Sequence, residues 1–325
     1  MQQLVEAQVS MEDRNKCSLF PYIREDVLSI QEVEQRAGWD ITAFNLSDLW
    51  ASTRGQGVKI AVIDTGCQID HEDLIGNILP GVNFIDPPNP PLDQCGHATH
   101  AIGIICALDN NKGVVGVAPL AKVMPVKVLD AHGNGTMDNV ALGIRWAVDN
   151  DADIISMSLG SPFPLQQVRK ACQYAAEKGV PIFCAAGNSG NTENVFYPSR
   201  YPETISIGSI DESMDRSSFS NTGENLDFMA PGSKIMSTVP PNWYALMSGT
   251  SMSCPWCVGV AALYLSHCRD RHPERLTNGK ISVDGYREAF KKYTTPISNE
   301  TFKDKKFYQG FGILDPRKMK EELFD

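Results

Sequence analysis

The stretch Val58-Lys-Ile-Ala-Val-Ile-Asp64-Thr-Gly66 decides the fold. Apart from one lysine its strand portion is apolar without alternation, the pattern of a strand buried on both faces, and such strands belong to parallel sheets covered by helices. Three further runs have the same character: Ala121-Lys-Val-Met-Pro-Val-Lys-Val128, Asp153-Ile-Ile-Ser-Met157 and Val180-Pro-Ile-Phe-Cys184. Helical patterns lie between them. Met137 to Asn150 carries Val140, Ile144, Ala147 and Val148 at helical spacing, and Gln166 to Lys178 ends at Lys178-Gly179, an ordinary helix stop. The alternation predicts an α/β fold, a mostly parallel sheet with helices on both faces. Ligands of such sheets bind beyond the carboxyl ends of the strands, which directs attention to polar residues placed there.

Composition excludes several classes. At 325 residues, roughly 150 per domain suggests about two domains, though single α/β domains run longer. With 42% hydrophobic and 21% charged residues the chain is neither fibrous nor disordered. Its 29 basic against 39 acidic side chains give a net charge of −10, which speaks against nucleic acid as a partner. The most apolar stretch, Met252 to Leu265, is broken by Ser, Cys and Pro and falls short of the roughly 18 residues a membrane span needs. The opening MQQLVEAQVSMEDRNKCSLF has no basic start and no apolar core, so the expected location is cytoplasmic, without a membrane partner. Nine scattered cysteines, an odd number, suit reduced thiols.

Three segments carry candidate chemistry, and each has a bland reading when taken alone. Asp64 closes a strand before Gly, where an acid is commonly a turn or cap residue. Cys95-Gly-His97-Ala-Thr-His100-Ala-Ile-Gly103 opens a helix of small residues; the His pair also raises a metal reading, but no third ligand follows at a recognised spacing and the HExxH glutamate is absent. Met247-Ser-Gly-Thr-Ser251-Met-Ser-Cys-Pro255 sets a serine at the start of an apolar helix, either as an N-cap or where the helix dipole favours developing negative charge.

Together, acid, His and Ser in that order, each in a Gly-containing turn, resemble the subtilisin-like serine proteases (subtilases, S8), whose motifs stand here as Val62-Ile-Asp64-Thr-Gly66, Gly96-His97 to Gly103, and Gly249-Thr-Ser251-Met-Ser-Cys-Pro255. Ala185-Ala-Gly-Asn188-Ser-Gly190 resembles the family's oxyanion-hole segment, and Phe307-Tyr-Gln-Gly-Phe-Gly-Ile-Leu314 its closing segment. The resemblance implies a three-layer subtilisin-like fold and peptide-bond hydrolysis through an acyl-enzyme, with Ser251 as nucleophile, His97 as base and acid, Asp64 orienting the imidazole and Asn188 donating to the oxyanion. Protein or peptide substrate would bind extended between Gly133-Asn-Gly135 and Ser158-Leu159-Gly160. Departures are Ala98 after the histidine, Trp256 after Pro255, and Phe196 where relatives often carry a small residue. Phe196 either shortens the first pocket toward small side chains or turns into the core. Cys254-Pro-Trp-Cys257 lacks a second ligand pair for zinc and reads as packing.

Calcium is the implied cofactor. Asp73 and the loop Ala107-Leu108-Asp-Asn110-Asn-Lys112-Gly-Val114 resemble the family's strong calcium site, although its ligand from near the N-terminus finds no counterpart by sequence. Leu19-Phe20-Pro21-Tyr22 resembles the Leu-Ile-Pro-Tyr element of intracellular subtilisins, which lies back across the active site and keeps the precursor inactive. Residues 1–45 are thus expected to be an inhibitory extension and 46–325 the catalytic domain. The resemblance also allows a homodimer. Two rivals stand beside it. One is a catalytically silent peptide-binding module, which the complete Asp64, His97, Ser251 and Asn188 set opposes. The other is a nucleotide-binding enzyme, which would need a Gly-rich phosphate loop where Asp64-Thr-Gly-Cys-Gln stands.

Overall fold

The structure is a computed structural model that describes residues 15–28, 34–297 and 305–323. At its centre are nine strands: β3 (Lys59–Asp64), β4 (Val82–Asn83), β5 (Lys122–Lys127), β7 (Ile154–Met157), β9 (Ile182–Ala185), β10 (Ile205–Ile210), β11 (Phe228–Pro231), β14 (Thr294–Thr295) and β15 (Ile313–Leu314). Their spatial order is β14-β15-β11-β10-β9-β7-β3-β5-β4, and every pair is parallel except β14 with β15. Two smaller sheets complete the strands. One joins β1 (Lys16–Leu19) with β6 (Asn134–Thr136) and β8 (Leu159–Gly160); the other joins β2 (Ile23–Leu28) with β12 (Ile235–Val239) and β13 (Trp243–Ser248).

Side chains along β3 alternate between two cores, which is why its sequence shows no polar face. Ile60 and Val62 pack with helices α1 (His97–Cys106) and α4 (Thr250–Arg271), whereas Ala61 and Ile63 pack with α2 (Met137–Asp149) and α3 (Gln166–Glu177). The result is three layers, as the sequence pattern anticipates, with element ends within a residue or two of those read from it. Among the described residues, no helix is long and apolar enough to cross a membrane.

Strand order places the site. The chain steps from β3 outward to β5, then returns to the other side of β3 as β7. The reversal opens a crevice beyond the carboxyl ends of β3 and β7, where Asp64 and Ser158 stand.

Candidate active site

Asp64 ends β3 and is fully buried, with its Oδ1 accepting the Thr65 N–H at 2.7 Å. Its two oxygens lie 2.9 and 3.0 Å from Nδ1 of His97, the first residue of α1. That helix starts on a turn that Gly96 makes at φ +91°. Asp93 holds the turn, Oδ1 accepting the N–H groups of Cys95 and Gly96 and Oδ2 the backbone N–H and the hydroxyl of Thr99. His97 is as buried as Asp64, and its Nε2 carries no hydrogen bond among the described residues.

Ser251 is the second residue of α4 and fully buried. Four residues on, Pro255 has no N–H to give the Ser251 carbonyl, and the Ser158 hydroxyl donates to that carbonyl instead, at 3.1 Å. The Ser251 hydroxyl in turn donates to the Ser158 carbonyl at 3.4 Å. Asn188 follows β9 through Gly187, at φ +106°. Its amide orientation is set from one side: Oδ1 accepts the Thr250 N–H and hydroxyl at 2.8 and 2.7 Å, leaving Nδ2 to donate. A side chain at Gly249 would put its Cβ 2.8 Å from that Nδ2, so only glycine keeps the approach open.

Residues 15–28 run through the cleft between these groups. Strand β1 lies between β6 and β8, antiparallel to both, with Ser18 opposite Asn134 and Gly160, and Leu19 opposite Leu159. The Leu19 N–H donates to the Gly133 carbonyl at 2.9 Å. Gly133, at φ +74°, approaches so closely that a Cβ there would fall 2.8 Å from Leu19 Cδ1. Phe20 is buried, its ring over Gly160 and 5.7 Å from that of Phe196. The Pro21 carbonyl accepts from Asn188 Nδ2 at 2.9 Å. The Tyr22 ring packs 4.9 Å from the His97 ring, and its hydroxyl lies 3.9 Å from Cys95 Sγ. Burial, then the Cys95 charge, pushes the Tyr22 phenol well up, so it stays neutral. Phe196 is half-buried, packs against the apolar core and meets the Phe20 ring on its other side.

A model of the subtilase family (peptidase S8) matches residues 55–292. The chain is a subtilase. Among its relatives, an intracellular serine protease of Paenibacillus polymyxa is 41% identical over 259 residues, covering 77% of this chain and 78% of the relative. The major intracellular serine protease of Bacillus subtilis is 37% identical over 274 residues, covering 81% and 85%. Thermitase of Thermoactinomyces vulgaris is 41% identical over 270 residues, covering 82% and 92%. This subtilase is thus a subtilisin-like serine endopeptidase.

The second expected site gathers around Asp73, which is fully buried. Its carboxylate accepts from Asn110 Nδ2, the Val114 N–H and the Tyr244 hydroxyl at 2.9 to 3.0 Å. Burial raises its pKa against those hydrogen bonds. Gln35, which has no motif around it, reaches the same loop: Oε1 accepts the N–H groups of Asn110 and Asn111, and Nε2 donates to Asp109. Backbone bridges pair Glu34 with Lys112 and Arg36 with Val114. Gln35 thus stands where the sequence shows no N-terminal contributor, and only folding brings it there. The oxygens available here, from one carboxylate, two amide side chains and the loop backbone, are of the kind a hard cation takes, with Asn110 having to turn its amide oxygen in place of the nitrogen that now meets Asp73. No cluster of three or more His, Cys, Asp or Glu residues exists among the described residues.

The thiols are unpaired in all nine cases. Cys254 is fully buried, Sγ lying 3.7 Å from Ser156 Oγ and from the Met157 carbonyl, and burial pushes its thiol up to about 12. Such a thiol is inert packing, not a redox pair with Cys257. Trp256 has a different task, for its indole N–H donates to the Asp40 carbonyl at 3.2 Å and its ring packs 4.9 Å from Phe44.

Proposed function

We propose that this subtilase cleaves peptide bonds with Ser251 as nucleophile, His97 as general base and then acid, Asp64 holding the imidazole tautomer, and Asn188 stabilising the oxyanion, and that its N-terminal segment holds it inactive until cut. Contact between Asp64 and His97 Nδ1 supports the middle of that chain. The proton relay from Ser251 needs a small movement, because its hydroxyl now faces the Ser158 carbonyl; hydrogen bonds of this kind often tighten only when substrate binds.

One observation carries the inhibitory reading. Phe20 fills the first pocket, yet the carbonyl on Asn188 is that of Pro21. In a substrate the residue in the pocket also supplies the attacked carbonyl, so the segment is set one residue out of step. Proline fixes its own φ and lacks an N–H, so it does not continue the pairing of β1, which supports a chain that occupies the cleft without presenting a bond for attack. Glu34 onward is tied to the Asp73 loop and to Trp256 and would stay with the domain, so residues up to about 30 are the releasable part. The aromatic occupant of the first pocket favours first-position preference that extends to Phe.

We further propose that calcium binds at Asp73, held by Asp73, Asn110 and Gln35 side-chain oxygens and the carbonyls of Leu108, Lys112 and Val114. The ion would neutralise the buried carboxylate and clamp residues 34–36 to the loop. Loss of melting temperature on chelation, restored by calcium, is the expected result; no change would remove the ion from the account. The charge and thiol content and the intracellular relatives favour the cytoplasm.

The deciding experiment is a mass-spectrometric time course of an unfolded protein with the purified chain and calcium, beside Ser251→Ala. Fragments from the parent chain alone, accompanied by loss of its own first residues, are expected. Fragments from neither would favour a peptide-binding module.

A further inference from the structure

Among the described residues Lys127 is the only buried lysine or arginine, 3% exposed at the carboxyl end of β5. An ammonium leaves water at a cost unless opposite charges and hydrogen-bond acceptors meet it, so its surroundings show what keeps it there. In register it stands beside Asp64 of β3 and Asn83 of β4. Its Nζ donates to the Thr65 carbonyl at 2.5 Å, and the carboxylates of Asp93, Asp64 and Asp130 act on it. Burial lowers its pKa, and those carboxylates oppose the fall. Thr65 is the joint between these groups. Its N–H donates to Asp64 Oδ1, its hydroxyl accepts the Ala98 N–H at the start of α1, and its carbonyl takes Lys127. The lysine thus grips a residue that touches the carboxylate on one side and the helix opened by His97 on the other.

We infer that Lys127 is a positioning residue of the cleavage reaction, pinning the Thr65 turn beneath Asp64 and His97 and supplying a buried positive charge that favours the neutral, proton-accepting imidazole. The sign follows from the charges around His97. Asp64 on β3 and Asp93 in the turn before α1 favour the imidazolium, and Lys127 on β5 disfavours it. Burial raises the pKa of the Cys95 thiol and of the Tyr22 phenol, so both are neutral near pH 7. His100, on α1 itself, has its Nε2 against the carbonyls of Ile235 and Ala245, and burial lowers its pKa to about 3, so it too is neutral. Arg24 has Nη1 3.9 Å from where a Cβ on Gly96 would stand, but it belongs to the releasable segment, as does Tyr22. Asp130 acts on Lys127 from the loop after β5, its Oδ1 taken by the His132 and Asn134 N–H groups. Once the segment is cut away, Lys127 is the buried cation that remains to offset the carboxylates.

Because this role rests on the proteolytic reading, its test separates the two. The pH dependence of kcat/KM on one short reporter is measured with the full chain after it has processed itself, for the parent, Lys127→Met and Lys127→Arg. His97 serves as base only when neutral, so activity falls on the acid side where the imidazole takes up a proton, and the midpoint of that limb does not depend on the active fraction. Lys127→Met should move the midpoint up by about 0.5–1 pH unit, the size of one charge removed at roughly 10 Å with partial screening, and lower kcat roughly tenfold through the loosened turn. Lys127→Arg keeps the charge and should leave the midpoint within about 0.2 unit even where kcat falls. A purely structural part predicts the other sign, since loosening Asp64 from His97 weakens the group that favours the imidazolium. An unmoved or lowered midpoint in Lys127→Met, or equal shifts in both variants, would overturn the role while cleavage continues. Should Lys127→Met fail to fold, Lys127→Gln, whose amide still donates to the Thr65 carbonyl, is read in the same way. Absence of cleavage of the reporter and of unfolded protein by the parent chain would instead remove the proteolytic reading, and the role of Lys127 with it.

Discussion

Lys16–Leu19 and Ile23–Leu28 are both short strands of one N-terminal segment, yet the first is enclosed and the second rides an edge. Strand β1 has a neighbour on each side, and Cys17 and Phe20 are buried beneath it. Strand β2 has one neighbour, and Ile23 and Val27 face water. Apolar burial scales with area removed from water, so the grip should reside in the first half. The second half adds backbone pairing whose gain over water is small. Between them Pro21 meets Asn188, the group proposed to serve both segment and oxyanion.

Four measurements break or sharpen that contrast. The largest effect is expected at the junction: Asn188→Ala should lower kcat by about 10²–10³, as loss of this donor does in subtilisin, a relative. Equal kcat would move the oxyanion role elsewhere. Next is Phe20→Ala, which empties the enclosed half. At roughly 2–3 kcal/mol of lost burial, hydrolysis of a short reporter by the uncut chain should rise about 30- to 150-fold, up to the ceiling set by the cut form. If the uncut rate stayed put, the enclosed half would not be the grip.

Third comes the anchor behind the segment. Asp40 is buried against Trp256, without an ion-pair partner among the described residues, and burial raises its pKa to about 7 from the ordinary 3.8. A carboxyl raised on folding contributes stability below 3.8, and that contribution is lost as pH rises through 7. Asp40→Asn should therefore gain stability relative to the parent as pH rises from 4 to 8, by ~1–3 kcal/mol at the top of the range, read from urea midpoints at each pH. A pH-independent difference would mean the carboxyl is not held neutral. The smallest effect is reserved for Val27→Ala: the uncut rate should change less than twofold, because its side chain is largely solvated. A change as large as that of Phe20→Ala would erase the contrast between the halves.

Much of this was legible in sequence because it is local. Parallel strands buried on two faces write continuous apolar runs, and Gly-bounded turns around Asp64, His97, Asn188 and Ser251 must keep their residue types for the backbone to pass. The contact of Asp64 with His97 and the reach of Asn188 toward the cleft were expected from the family resemblance those turns carry, not from any one turn by itself. Gln35 was not, since an isolated glutamine in a segment without a motif carries no signal; only the pairing of Glu34 and Arg36 with the loop at Lys112 and Val114 delivers it. Thr250, which turns the Asn188 amide, and Tyr244, which reaches Asp73 across 171 positions, are equally silent in sequence. Phe196 was left open between pocket and core, and it touches both the apolar core and the ring of Phe20.

Sequence by itself determined the layer architecture, through the buried strand pattern, and pointed to the family, through motifs that each lie within one short segment. Tertiary structure alone decided the step in which the N-terminal segment lies in the cleft. The register of Phe20 and Pro21 against Gly160 and Asn188, and of Ile23 against Ser248, depends on strands distant in the chain being brought edge to edge, where hydrogen bonding between backbones carries no mark in the side-chain pattern.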